Sequence, residues 1–511
     1  MAENRTQKVI LNSAVTLSCQ IVYLVVSFVC RTIFTKNLGA EYLGISGLFS
    51  NILTILSFAE LGIGSALVYR MYKPLATNDQ EKLREYIQLY KQIYRIITFV
   101  ILLAGLAFVP FIPSIIIAPN VKENVTLLYI LYLAQTLVTY VFVYKKSILI
   151  ADQKSYIVNI CTQMFNLGMN IAQCVFLVVT HNFVIYCILN IVFNLANNIV
   201  CSYYADKQYP YLRKASNLKL SSEEIKNLFK DVKGLLLTKI ASTAFSGTDN
   251  IFISTFIGIR YVGILSNYTV LSSIVNSVLN QIFDAITASI GNLVVTDEKS
   301  RAESVLKKLF FLNTSLYGYL CLGMLILLRE FVTQIWLDSE YDLPQVVIML
   351  ILFELFLRSI HYPLYMTRSA MGCFSEYKVV FAVAAVLNIA LDYVLVRPMG
   401  IAGLYIATII CRGITYFTDA WVVYHQQLNR SVWNYLYLIL KWIVFLAGCG
   451  FVMTKIVALI TISGFTGFIL RGLTISIIYA LLHFLTFSHC EEFKYYLNIV
   501  GHIVYRIKRK N

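Results

Sequence analysis

Long apolar runs, separated by short segments that carry charges or turn-forming residues, make up most of this chain. Crossing about 30 Å of hydrocarbon takes roughly 20 residues of helix, and by that measure the runs predict about fourteen spans. They centre on Val22, Leu56, Leu102, Thr136, Gly168, Phe193, Thr243, Ser277, Cys321, Phe356, Ala385, Thr408, Leu446 and Ile475. The expected fold class is an all-α polytopic membrane protein. The longest polar segment, 206–233, follows the sixth run and reads as a cytoplasmic inter-lobe linker. It separates an N-lobe, 1–205, from a C-lobe, 234–430. Spans thirteen and fourteen occupy 431–488, and a basic tail covers 489–511. The string Gly39-Ala-Glu-Tyr42-Leu-Gly44-Ile45 after span one recurs as Gly258-Ile-Arg-Tyr261-Val-Gly263-Ile264 after span seven. Thr54 with Ser273 and Ile55 with Ile274 keep the same register. Both copies lie between the first two spans of their block, which predicts a duplicated six-helix lobe followed by two additional C-terminal helices.

Composition agrees with this pattern. Of 511 residues 58% are hydrophobic and only 14% charged, against about a quarter charged in soluble domains. Soluble enzymes, disordered chains and fibrous proteins are excluded. The formal net charge is +15, yet the cations fall between apolar runs and do not gather on a soluble face, so no nucleic-acid partner is expected. With a cytoplasmic N-terminus, most of the 42 Lys and Arg fall on cytoplasmic loops and the tail, the asymmetry that orients helices in bacterial membranes. Both termini are therefore expected in the cytoplasm. The first run is long, carries Gln20 and Arg31, and lacks a small-residue cleavage site, so it reads as a retained helix. The 11 cysteines show no metal-ligand spacing and no disulfide framework.

Polar residues within the runs carry the candidate chemistry. In span one, Ser13, Thr16, Gln20, Tyr23, Ser27 and Arg31 fall three or four apart, on one helix face. Span two adds Ser50, Thr54, Ser57 and Glu60, span seven Lys239, Ser242, Ser246 and Asp249, and span eight Thr269, Ser273, Asn276, Asn280, Asp284 and Thr287. A charged side chain facing lipid costs about 2.5–3.5 kcal/mol at the bilayer centre, so these faces are expected to meet a water-filled cavity. The alternative is that such stripes only join helices, at about 1 kcal/mol or less per contact. Span five, with Asn159, Gln163, Asn166, Asn170 and Gln173, divides evenly between the two readings. Span ten carries Glu354, Arg358, His361, Tyr365 and Arg368 on one face, with Pro363 as an expected kink or break. Glu354 and Arg358, one turn apart, form an expected local pair. Arg412 and Asp419 on span twelve, with Asp392 on span eleven, are expected to form a structural network. His361 has no second histidine at ligand spacing, so no metal site is expected.

No catalytic constellation is present in the sequence, and no glycine-rich phosphate loop with a following lysine supports ATP-driven transport. Membrane glycosyltransferases and polysaccharide polymerases are the enzyme alternative; they usually display a long acidic extracytoplasmic loop, whereas the segment 329–345 is short.

The segment Arg31-Thr-Ile-Phe-Thr-Lys-Asn-Leu-Gly39-Ala-Glu-Tyr42-Leu-Gly44-Ile45, the stretch Thr248-Asp249-Asn250-Ile251 with Gly258 and Tyr261-Val-Gly263-Ile264, and Gly400-Ile-Ala-Gly403 before span twelve resemble Wzx-type polysaccharide-biosynthesis flippases of the multidrug/oligosaccharidyl-lipid/polysaccharide exporter superfamily. The resemblance covers nearly the whole chain. It implies a bacterial inner-membrane transporter, not an enzyme, that moves undecaprenyl-pyrophosphate-linked oligosaccharide outward by alternating access, for capsule, O-antigen or related polymers. Polysaccharide assembly proteins and membrane lipid are the implied partners. The second reading is a cation-coupled multidrug or metabolite antiporter of the same superfamily; such antiporters usually stop at twelve spans. For a pyrophosphate-linked sugar, Arg31 and Lys239 are the anion-binding candidates, and Gln20, Asn276 and Asn280 the sugar contacts. Glu60, Asp249 and Asp284 are the candidates for a coupling Na+ or H+, with no other cofactor expected.

Overall fold

In the computed structural model the described residues are 24–60, 63–116, 120–152, 154–213, 223–224, 226, 228, 247–296, 299–370 and 378–508. They are almost entirely helical. Among the described residues ten helices are long and apolar enough to cross a membrane, running from Gln80–Ile115 to Gly464–Phe487. A further pair, Val125–Thr139 and Val143–Ala151, is bent by 41° and counts as an eleventh span if taken together. These eleven coincide with the expected spans three to six and eight to fourteen. Most of spans one and seven lies outside the described residues; of span one, residues 24–38 are helical.

Span two is not the continuous helix expected around Leu56. Helix Ala40–Leu56 ends in a 3-10 turn, Ser57–Glu60, and a separate helix, Ile63–Ala76, follows. The break in span four has a similar local cause: Phe142 takes a left-handed conformation (φ 62°), which ends an α-helix at that residue. Span ten, by contrast, runs through Pro363 as one helix, Gln345–Ala370. Beyond the spans, Glu491–Lys508 forms an additional helix where the basic tail was expected.

The chain divides into two compact units, Met1–Ser266 and Asn267–Asn511. The first extends past the linker because the two copies of the glycine string pack on each other within it. A Cβ at Gly44 would lie 2.0 Å from the Ile259 carbonyl oxygen, and one at Gly263 would lie 1.8 Å from that of Ala40. Gly44 corresponds to Gly263 and Ala40 to Ile259, so the contact is reciprocal, as in an isologous interface. Only glycine lets the backbones come this close. The first glycine of each copy, Gly39 (φ 88°) and Gly258 (φ 129°), takes the positive φ that turns the chain into the packed helix. Around this contact Phe34, Tyr42, Tyr132, Phe183 and Tyr186 form an aromatic cluster with centroids 5.0–6.4 Å apart. The linker is anchored to the same unit, since Glu224 accepts from Lys82 Nζ at the start of span three.

In the second unit, spans nine, thirteen and fourteen share a core. Trp442 stacks on Phe487 at 4.6 Å, and Phe311 packs edge-on against both. The Tyr479 hydroxyl donates to the Ser315 carbonyl at 2.8 Å.

Candidate functional site

In the first unit Arg31 and Glu60 each meet a hydroxyl group. Arg31, near the end of the described part of span one, donates from Nη2 to Ser266 Oγ at 2.5 Å. Ser266 in turn donates to the Gly263 carbonyl at 2.6 Å, leaving its lone pairs for the guanidinium. Arg31 is thereby fixed against the second glycine string. Glu60 closes the broken turn of span two, and its Oε1 accepts from Tyr94 at 2.8 Å. Tyr90 lies against Tyr94 with centroids 4.7 Å apart and accepts a 2.9 Å hydrogen bond from Ser147. A polar chain thus runs from span four through two tyrosines of span three to the Glu60 carboxylate. Asp249 is half-buried and opens the helix Asp249–Phe256, where the dipole favours a negative charge.

Asn276 and Asn280 come together in the second unit. The hydroxyl of Tyr317, a fully buried span-nine residue, faces both side-chain oxygens, at 2.7 and 3.2 Å. The remaining candidates fall elsewhere. Gln20 and Lys239 lie outside the described residues, as does the side chain of Asp284, whose backbone belongs to helix Ile259–Thr296. In span five, Gln173 is buried and donates to the Tyr186 carbonyl at 3.1 Å, which makes that residue a helix-joining contact.

Spans ten and twelve carry a charge network. Glu354 meets Arg358 at 2.8 Å, the expected local pair, but also Arg412 at 2.7 Å. Asp419, fully buried, lies 3.0 Å from Arg368 and 2.5 Å from His361. The His361 ring stacks on Tyr416 at 3.9 Å, and Arg412 donates to the Tyr416 hydroxyl at 3.1 Å. The Arg368–Asp419 and Arg412–Glu354 contacts are close in distance but off the direction of a hydrogen bond through the guanidinium Nε, so charge attraction carries them. Asp392 sits in a second buried cluster, 3.5 Å from Asn388, which lies 3.5 Å from Thr408.

The residues that sequence reading missed are mostly tyrosines. Tyr94, Tyr317 and Tyr416 each present a hydroxyl to a singled-out polar residue, and the count of 35 Tyr was the available signal. Asn388 was missed as well, although it precedes Asp392 by one helical turn.

The helical fold of the described residues is like that of several solved membrane transporters. The solved structure of the lipid II flippase MurJ in an inward closed conformation matches with a TM-score of 0.65, over 93% of this chain and 99% of its own, at 14% identity. An inward-facing multidrug resistance MATE family transporter of the MOP superfamily matches at 0.59, over 78% of this chain and 92% of its own, at 14% identity. A MOP superfamily transporter from Pyrococcus furiosus matches at 0.51, over 80% and 92%, also at 14% identity. These likenesses are of fold. The sequence is more specific: residues 9–288 match the polysaccharide biosynthesis protein family, and the chain belongs to it. No curated protein matches the chain at a significant level.

Proposed function

We propose that the protein is a flippase for undecaprenyl-pyrophosphate-linked oligosaccharide, working by alternating access in the cytoplasmic membrane with both termini in the cytoplasm. The observation that carries this reading is the extent of the fold likeness: 93% of the chain for the lipid II flippase against 78% for the multidrug transporter. Family membership supports it. A pyrophosphate head bearing sugars cannot cross hydrocarbon unaided, so the path needs cations for the head and amide or hydroxyl groups for the sugar. Arg31 and Lys239 serve the pyrophosphate; Gln20, Asn276 and Asn280 serve the sugar. Glu60, Asp249 and Asp284 are the candidates for coupling to Na+ or H+.

Reconstitution tests the reading. Proteoliposomes containing the full chain should expose lipid-linked oligosaccharide to an impermeant lectin faster than empty vesicles, and Arg31→Gln should remove that gain. Cation-driven efflux of a lipophilic drug without any oligosaccharide translocation would establish the antiporter reading instead.

A further inference from the structure

The first unit contains a cavity of about 420 Å³ beside the bend of span four, and two cations in its wall have no part in the proposed transport path. Lys91, Arg95, Tyr94, Tyr140, Phe142 and Tyr144 line it, and no acidic residue does. Lys91 and Arg95 are one helical turn apart on span three. Neither makes an ion pair among the described residues, and Lys91 Nζ lies 5.8 Å from the Tyr144 ring centroid. Nearby lysines are neutralised: Lys145 by Asp206 at 2.6 Å and Lys154 by Asp152 at 2.6 Å.

Depth identifies the ligand. From Ile96 to Ile115 span three has no charged residue, and that length of about 20 residues fills the hydrocarbon. Arg95 is the last charge before it, so the two cations sit at head-group level among the tyrosines that favour that zone. The same face continues into the membrane through Phe99 and Leu102 of the cavity wall, and Phe99 is 59% exposed. A paired cation above and an open apolar ridge below fit an amphiphile with an anionic head and a hydrocarbon tail. A second cavity, of about 320 Å³ in the other unit, lacks this character: Glu492 is in its wall and its Lys307 is tied to Glu303 at 2.9 Å.

We propose that this cavity binds the phosphate of an anionic glycerophospholipid from the surrounding bilayer, with Arg95 and Lys91 holding the head group and the acyl chain lying along Phe99 and Leu102. Arg95 offers a forked contact to two phosphate oxygens and Lys91 a point charge. The lipid would brace span three against the bend at Tyr140–Phe142.

The test uses the purified full chain in detergent, titrated with phosphatidylglycerol, with phosphatidylcholine of the same chains, and with inorganic phosphate. Phosphatidylglycerol alone should raise the melting temperature. In the double variant Lys91→Gln/Arg95→Gln its half-saturating concentration should rise about tenfold or more, whereas Arg84→Gln, a surface control, should leave it unchanged. The charge-preserving pair Lys91→Arg/Arg95→Lys should retain the response and separates a lost site from a misfolded protein. An undiminished response in a folded double neutral variant would overturn the proposal. So would an equal response to phosphatidylcholine, or a full response to inorganic phosphate, which would make the site one for free anion.

Discussion

The two units hold the charges of their spans in different ways. In the second, Glu354 faces the guanidinium groups of Arg358 and Arg412, and Asp419 faces Arg368 beside His361, with Asp419 at 0% and Arg368 at 4% exposure. In the first, Glu60 takes a tyrosine hydroxyl and Arg31 a serine hydroxyl, and Glu60 is only half-buried at a helix break. Charges that neutralise one another are held by mutual attraction and gain little from moving. A hydroxyl holds the Glu60 charge without cancelling it, so that carboxylate keeps its field for an ion or a substrate. A structural role fits the span ten and twelve network, and Glu60 is the charge left open for the proposed coupling.

The largest effect should come from breaking the closed network. Asp419→Asn removes the carboxylate from Arg368 and His361 and leaves Arg368 buried beside a neutral amide, a change that costs about 3–5 kcal/mol. A large drop in melting temperature of the solubilised protein, measured by fluorescence-detected size exclusion, is the expected result. The double variant Arg368→Met/Asp419→Leu should recover most of it, because apolar replacement of a buried pair is often close to neutral. A single Asn variant as stable as the parent would move this network into the functional class.

Next in size is the glycine contact of the first unit. Gly263→Val places a side chain where the Ala40 carbonyl already stands, an overpacking that costs about 1–3 kcal/mol or more because the obstacle is backbone. Gly323→Ala in the second unit meets nothing within 4 Å and should be neutral or slightly stabilising. Equal melting temperatures for the two variants would mean that the reciprocal packing is dispensable.

These contrasts mark what was legible in the sequence. Spans three to six and eight to fourteen were, because about 20 apolar residues in a row leave little choice of structure. The glycine strings were visible as a repeat, but their packing against one another was not, since sequence similarity says nothing of which copy touches which. The pair Glu354–Arg358 followed from helical spacing, whereas its sharing with Arg412 needed the neighbouring helix. Glu60 was found as a charge out of place. Its setting was hidden, because the hydroxyl that meets it belongs to Tyr94 of the neighbouring span three. Tyrosines were the systematic loss: read as apolar filling, they supply the hydroxyls that hold Glu60, Asn276 and Asn280.

A smaller stability effect and a larger functional one are expected at Glu60. Glu60→Gln keeps an acceptor for Tyr94, so the melting temperature should change by no more than the worth of one hydrogen bond, about 1 kcal/mol. Translocation of lipid-linked oligosaccharide by the reconstituted variant should nonetheless fall if the carboxylate serves coupling. Stability loss matching that of Asp419→Asn would erase the distinction between the two units.

The smallest effect belongs to an exposed charge pair at the end of span nine, where water should level any such difference. Arg329 grips Asp342 with two hydrogen bonds, at 2.7 and 2.5 Å, and these hold the carboxyl below its usual range against a partial desolvation that pushes it up. A lowered value in the folded state means that the ionised form is the one the fold favours. Its contribution is therefore complete above the unfolded carboxyl value, near 3.9, and disappears as pH falls through the lower folded value. Both side chains are more than a third exposed, and solvent screening limits the pair to about 1 kcal/mol or less. Asp342→Asn should accordingly lower the melting temperature slightly at pH 7 in low salt. The gap should narrow in 1 M salt, where the screening length falls to about 3 Å, and close below the folded carboxyl value. A gap that persisted unchanged through both treatments would show that Asp342 acts through its neutral hydrogen bonds, in the manner of the hydroxyl-held groups of the first unit.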